Sequence, residues 1–319
     1  MSEKALGIDI GGTKIAVATV REGGEIVRET QIPTESERGF ASGVARIAEA
    51  AALVLRESGW KTSDLAGIGV GCAGPVDPVR GTIHNPHTLP GWTGGNIMAA
   101  LGERFACPVV LENDADMALL GECLAGAGRG YDPVVMLTFG TGIGGAVRAK
   151  GAILRGVGGE HAELGHVPVD PDGPPCYCGA RGCFETLASG SALSAAARAQ
   201  GMGDARRLLA RAAEGDPAAQ GVRDRALRAT ATAVWTLVHT LLPERIILGG
   251  GVMDEHYEPF AAAASAAMAK ATLVPAGRVG VAKAELGNRA GLVGAASAVW
   301  SGAALEPAGR VESAKEDRR

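Results

Sequence analysis

The sequence predicts an α/β protein of two similar halves with a cleft between them. Three observations carry that expectation. Short apolar runs with strand character alternate with segments of helical periodicity, the pattern of layered α/β folds. A strand, a Gly/Thr turn and a second strand occur at 8–17 and again at 137–147. The 319 residues suffice for roughly two domains of about 150 residues each.

In chain order, 5–10 reads as a strand, 11–14 as a glycine-rich turn and 15–20 as a second strand, with Gly23-Gly24 turning into a third at 25–31. Val44, Ile47, Ala48, Ala51 and Leu55 recur at helical spacing and predict a helix over 44–55. Residues 66–70 form a short buried strand running into Gly71-Cys72-Ala73-Gly74-Pro75. A turn-rich stretch (Asn85-Pro86-His87, Pro90-Gly91) precedes a helix at 97–105. The strand at 108–111 delivers Glu112-Asn113-Asp114 at its C-terminal end, ahead of a helix at 115–127. A strand at 134–139 leads through Gly140-Thr141-Gly142-Ile143-Gly144-Gly145 into another at 146–149. A long helix at 223–242, a strand at 245–248, the Gly249-Gly250-Gly251 loop and Ala-rich helices at 256–270 and 288–300 follow. Apolar periodicity is lost over 303–319, which reads as a flexible tail.

Composition narrows the function. At 46% hydrophobic and 21% charged the chain is globular rather than disordered. A net charge of −4 offers no excess of positive charge to a phosphate backbone, so nucleic acid is not an expected partner. Glycine, 48 of 319 residues, stands at about twice its usual share, yet shows no Gly-X-Y period. No secretory signal is expected, because Asp9 breaks the short apolar run near the start. The longest apolar stretch, 231–242, stops at Pro243, short of the roughly 18 residues of a membrane span. A cytoplasmic location follows as the expectation, and there six cysteines suit metal binding or burial better than disulfides.

Three constellations carry chemistry. Asp9-Ile10-Gly11-Gly12-Thr13-Lys14 fits a phosphate cradle, with Asp9 ordering Mg²⁺ or its waters and Gly12 and Thr13 on phosphate; it fits a plain β-hairpin turn as well. It is neither a P-loop nor a dinucleotide fingerprint. Glu112-Asn113-Asp114 stands at a strand end, where ligands of open α/β sheets bind. Asp114 there either accepts a proton from an attacking hydroxyl or caps the following helix. The third set, His166, Cys176, Cys178 and Cys183, offers one imidazole and three thiolates, the donors of a structural zinc site with no position left open for substrate. Cys72, Cys107 and Cys123 are isolated and read as packing residues. Glu163 and Glu185 flank the cluster, either as a pair of acceptors for polyol hydroxyls or as ordinary solvated carboxylates.

With these residues in place, the chain resembles the ROK family of sugar kinases (repressor, open reading frame, kinase), most of all its bacterial glucokinase branch, over nearly its whole length. The resemblance runs through Asp9–Lys14, Glu112-Asn113-Asp114-Ala115, Thr141-Gly142-Ile143-Gly144-Gly145, Glu163-Leu164-Gly165-His166, the run from Cys176 to Glu185, and Leu248-Gly249-Gly250-Gly251. It implies the two-domain actin-like ATPase or hexokinase-type (ribonuclease H-like) fold, with ATP and sugar in the interdomain cleft. The expected division is a smaller N-terminal α/β domain, 1–112, on which a helix near 289–302 packs back, and a larger C-terminal domain, 113–288, carrying a zinc loop at 166–185. Asp114 becomes the general base on a hexose 6-hydroxyl. Asn113, Glu163, His166 and Glu185 hold the sugar, with His166 also on zinc through its other ring nitrogen. Asp9, Gly11, Gly12, Thr13, Lys14, Thr141 and Gly142 serve phosphate and Mg²⁺, and Gly250 lies near adenosine. Glucose is the expected substrate, with N-acetylmannosamine, N-acetylglucosamine, fructose or allose as alternatives, and a homodimer or homotetramer as the assembly. The family's repressors carry an N-terminal helix-turn-helix, for which the residues before Asp9 leave no room. Two positions depart from the pattern: Asp116 replaces the usual Asn and adds charge near the base, and Ala146 replaces a glycine and crowds the second turn.

Overall fold

The computed structural model describes residues 3–275 and 277–301, and the tail expected at 303–319 lies outside them. The chain runs β1 (Lys4–Ile10), β2 (Lys14–Arg21), β3 (Ile26–Pro33), α1 (Phe40–Ser58), β4 (Gly67–Cys72), a small hairpin of β5 (Val76–Asp77) and β6 (Thr82–Ile83), α2 (Ile97–Phe105), β7 (Val109–Asn113) and α3 (Asp114–Ala125). It continues through β8 (Val134–Phe139), β9 (Ile143–Ala149), β10 (Ala152–Ile153), α4 (Phe184–Ala188), α5 (Gly190–Ala199), α6 (Ala205–Ala213) and α7 (Pro217–Leu241). Then come β11 (Arg245–Gly249), α8 (Gly251–Ala269), β12 (Gly280–Lys283) and α9 (Ala290–Trp300).

Two five-stranded sheets result, ordered β3-β2-β1-β4-β7 and β10-β9-β8-β11-β12. In each, three antiparallel strands are extended by two parallel ones. β1 pairs antiparallel with β2 and parallel with β4, and β8 pairs antiparallel with β9 and parallel with β11. The repeated strand–turn–strand of the sequence is therefore the centre of a repeated sheet, the architecture of the actin-like ATPase and hexokinase fold.

Side-chain alternation explains how the first sheet is covered. Along β1, Leu6, Ile8 and Ile10 join Val44, Ile47 and Val54 of α1 in one core, while Ala5 and Gly7 face α9. The small residues on the second face let α9 approach with its backbone. A Cβ on Gly7 would lie 2.2 Å from the Leu292 carbonyl oxygen, and one on Gly69 1.7 Å from that of Ala295. No larger residue fits either place.

The second sheet builds its core on Phe139, whose ring meets those of Phe184 and Phe260 edge-on at 5.5 Å. Ala226, Ala229, Ala233, Val234 and Leu237 of α7 close over it. This helix starts six residues before the expected 223, because Asp216 accepts the N–H groups of Ala218 and Ala219 and Pro217 takes the first helical position. The helix expected at 256 likewise begins at Gly251; His256 is non-helical and Pro259 lies inside, so α8 is kinked there. Ala146 does not crowd a turn: it sits buried in β9 opposite Met136. Cys72 is buried, and Cys107 and Cys123 are half-buried against the cores. No helix among the described residues is long and apolar enough to cross a membrane.

Candidate active site

Parallel pairing of β1, β4 and β7 puts Asp9 in register with Gly71 and Glu112, and Ile10 with Cys72 and Asn113. Asp114 follows as the first residue of α3. The Asn113 side chain accepts the Ala115 N–H at 2.8 Å, and Asp114 Oδ1 takes the same N–H at 2.9 Å. Capping, one of the two readings of Asp114, thus falls first to Asn113. Burial pushes the Asp114 carboxyl above its usual range, while the Ala115 N–H and His161 pull it down. Asp9 is pushed up to about 7 by burial and by the charge of Asp114, with Lys14 opposing. The Asp114 charge thus reaches Asp9 at the same end of the sheet with only Lys14 opposing, and such a carboxylate pair suits a hard divalent cation.

Directly beneath lies a second pair of acids. Arg155 donates to both Glu112 and Asp116, and all three side chains are at most 13% exposed. Asp116 adds charge beside the base, as its departure from the family pattern implied, and helps to raise Asp114, while a guanidinium from the segment after β10 meets it. Burial still pushes Glu112 up to about 7, with Arg155 opposing and Asp116 adding to the rise.

His166, Cys176, Cys178 and Cys183 come together, their four ligand atoms all within 4.8 Å of one another. His166 Nδ1 is 3.3 Å from Cys176 Sγ, and the sulfurs of Cys178 and Cys183 are 3.6 Å apart. Tetrahedral zinc with Zn–S bonds near 2.3 Å sets its sulfurs about 3.8 Å apart, so the cluster has the size of that ion. Burial and its two thiol neighbours push Cys183 up to about 12, whereas the Ala180 N–H lowers Cys178. Crowded thiols ionise together only around a cation. His166 Nε2 points away from the sulfurs and meets the Tyr177 hydroxyl at 2.9 Å.

Glu185, two residues past Cys183 in the first turn of α4, is half-buried and accepts the Ile143 N–H at 2.9 Å. A Cβ on Gly142 would come within 2.3 Å of the same carboxylate. The expected phosphate turn and the expected sugar ligand are thus in contact. Glu163 is exposed, 3.4 Å from His161 Nε2. Desolvation, then the charges of Glu185 and Glu163, raise the Tyr177 phenol. Of the expected phosphate residues, Gly11 donates to Lys14 O at 3.0 Å and closes a tight turn that leaves Gly12, Thr13 and Lys14 exposed. On the other sheet Gly140 donates to Gly142 O at 2.9 Å, leaving Thr141 exposed. Gly250, at φ 90°, abuts the Phe139 backbone at the neighbouring strand end.

Two residues of this site lie outside every sequence motif, Arg155 and His161, and Tyr177 lies inside the cysteine run without an assigned role. His161 lies beside Asp114, Glu163 and the Gly74 backbone, and its Nδ1 is buried without a partner. Its position two residues before Glu163 was the available signal.

A family model described as "ROK family" matches residues 5–301. The chain is similar to a glucokinase of Thermotoga maritima, at 38% identity over 78% of this chain and 82% of that one. Among solved structures it resembles a ROK hexokinase from Thermus thermophilus, with a TM-score of 0.83 and 35% identity over 94% of this chain and 99% of that one. It also resembles a ROK family glucokinase from Streptomyces griseus in complex with glucose and AMPPNP, with a TM-score of 0.74 and 34% identity over 92% and 98% of the two chains. A doubled sheet, a four-ligand cluster beside the paired acids and a family match spanning nearly all described residues agree: the chain belongs to the ROK family.

Proposed function

We propose that this protein is an ATP-dependent hexose kinase that phosphorylates glucose at its 6-hydroxyl. The observation that carries the reading is Asp114, the first residue of α3 at the end of β7, with its carboxyl raised by burial and with Asp9 at the same end of the sheet. In the reaction the sugar 6-oxygen attacks the γ-phosphorus of ATP, the bond to the β-phosphate bridge breaks, and ADP leaves. Asp114 accepts the proton that the hydroxyl loses. Asn113, Glu163, His166 and Glu185 orient the ring from the other hydroxyls. Backbone N–H groups of the turns at Gly11–Lys14 and Thr141–Gly142 meet the phosphates, and Gly250 allows close approach of the nucleoside. Asp9 would hold Mg²⁺, which would neutralise charge on the phosphates. His166, Cys176, Cys178 and Cys183 would hold zinc and so fix the loop that carries Glu185.

A coupled assay over glucose, N-acetylmannosamine, N-acetylglucosamine, fructose and allose, with ATP, ADP and polyphosphate as donors, tests the reaction. Glucose with ATP is expected to give the highest kcat/KM, and another sugar or donor in that place overturns the assignment. Glu185→Gln tests the sugar contacts. Its amide oxygen still accepts the Ile143 N–H, so ATP KM should hold, whereas a lost carboxylate acceptor should raise the sugar KM by about tenfold. An unchanged sugar KM removes Glu185 from the pocket.

Metal analysis should find one zinc per chain, absent from Cys178→Ser and Cys183→Ser. Tight zinc remaining after loss of all three loop cysteines excludes this cluster as its site.

A further inference from the structure

Tyr177 stands between Cys176 and Cys178 in a turn closed by the Gly179 N–H on Cys176 O at 3.0 Å. The residue is 80% exposed, which is unusual for so large a ring, yet its hydroxyl is engaged. The oxygen lies 2.9 Å from His166 Nε2, and the two rings meet edge-on at 4.9 Å and 85°. Desolvation of that end, then the charges of Glu185 and Glu163, push the phenol well above its usual range. The hydroxyl thus occupies the free nitrogen of a cluster histidine, a group assigned above to the sugar.

We propose that Tyr177 is a specificity-determining residue whose hydroxyl holds the sugar-binding position on His166 until a hexose displaces it. The inference rests on the reading of His166 and Glu185 as sugar ligands. A phenol and a sugar hydroxyl have the same capacity, one donor and two acceptor lone pairs, so they compete for the same imidazole nitrogen. The phenol is tethered by a short turn between two cluster cysteines, which gives it a high effective concentration at the site. A hexose offering a hydroxyl to His166 replaces what it removes. A ligand lacking that hydroxyl leaves the imidazole nitrogen without its partner, and such a mismatch is where polar sites discriminate. Tyr177 therefore weakens sugar binding while keeping His166 paired when no sugar is bound.

The test is steady-state kinetics and calorimetric glucose titration on the full chain carrying Tyr177→Phe, with zinc content measured alongside. Removing the competing hydroxyl should lower glucose KM and Kd by about threefold or more, the equivalent of one modest hydrogen bond, with kcat and ATP KM within twofold of the parent. Tyr177→Ser, whose hydroxyl is too short to reach His166, should give the same drop and serves if the Phe variant loses zinc. A purely structural tyrosine predicts the opposite sign, since a loosened loop binds sugar less well. Glucose affinity that is unchanged or weakened in the variant that keeps zinc overturns the proposal. Glu185→Gln separates the two levels. If it leaves sugar KM unchanged, the sugar-site reading itself has failed; if it raises KM while neither Tyr177 variant lowers it, only the role of Tyr177 has.

Discussion

Replacing Asp114 by asparagine is expected to lower kcat by about 10²-fold or more while the sugar still binds. The amide keeps the shape of the carboxylate and can still accept the Ala115 N–H that steadies Asp114 Oδ1. It cannot take the proton of the attacking hydroxyl. Binding, made by several other hydroxyl contacts, should change by far less than turnover. The pH profile supplies a second reading. Burial raises the Asp114 carboxyl above its ordinary value of 3.8, so the base is lost to protonation at a higher pH than a solvated aspartate would be. The parent should therefore show an acid limb, with kcat falling as pH falls through that raised pKa, and Asp114→Asn should lack it. Turnover close to the parent, combined with collapsed sugar affinity, would make Asp114 a binding residue.

The β1–β2 and β8–β9 hairpins were legible because each joins two apolar runs through glycines, a pattern fixed by local sequence. The His166–cysteine cluster was legible because its three cysteines lie within eight residues, on a loop whose turns bring them together. The helices α4, α5 and α6 were not. In α5 the sequence GSALSAAARA buries only Leu193 and Ala197, and alanine-rich segments carry little periodic contrast. β12 is a four-residue edge strand without a fully buried position, so no apolar run announces it. The site residues that went unread share a different cause. Arg155 meets Glu112 and Asp116 across 43 and 39 residues, and such pairing is set by the packing of the segment after β10 onto β7 and α3. From sequence, Asp116 was an extra charge; in the fold it is half of a clamp.

That clamp predicts the largest effect on stability. Arg155→Met should destabilise the protein by about 3–5 kcal/mol near neutral pH, because it leaves two buried carboxylates without their cation. Glu112 is 5% and Asp116 1% exposed at the side chain, so water cannot replace the guanidinium without opening the β7–α3 junction. The loss should depend on pH in a definite direction. Glu112 already titrates at about 7 in the fold against 4.5 as a free side chain. The folded state thus binds more protons than the unfolded state between those values, and stability falls as pH rises through that window. Without Arg155 both folded carboxyls move higher still, so the penalty should shrink as pH falls and grow as it rises. Denaturant unfolding of parent and variant across that range measures it. A Glu112→Gln/Asp116→Asn background removes the charges that Arg155 answers, and there Arg155→Met should cost far less. An equal cost in both backgrounds would mean that Arg155 contributes through its packing and that the two acids are neutral in the parent fold.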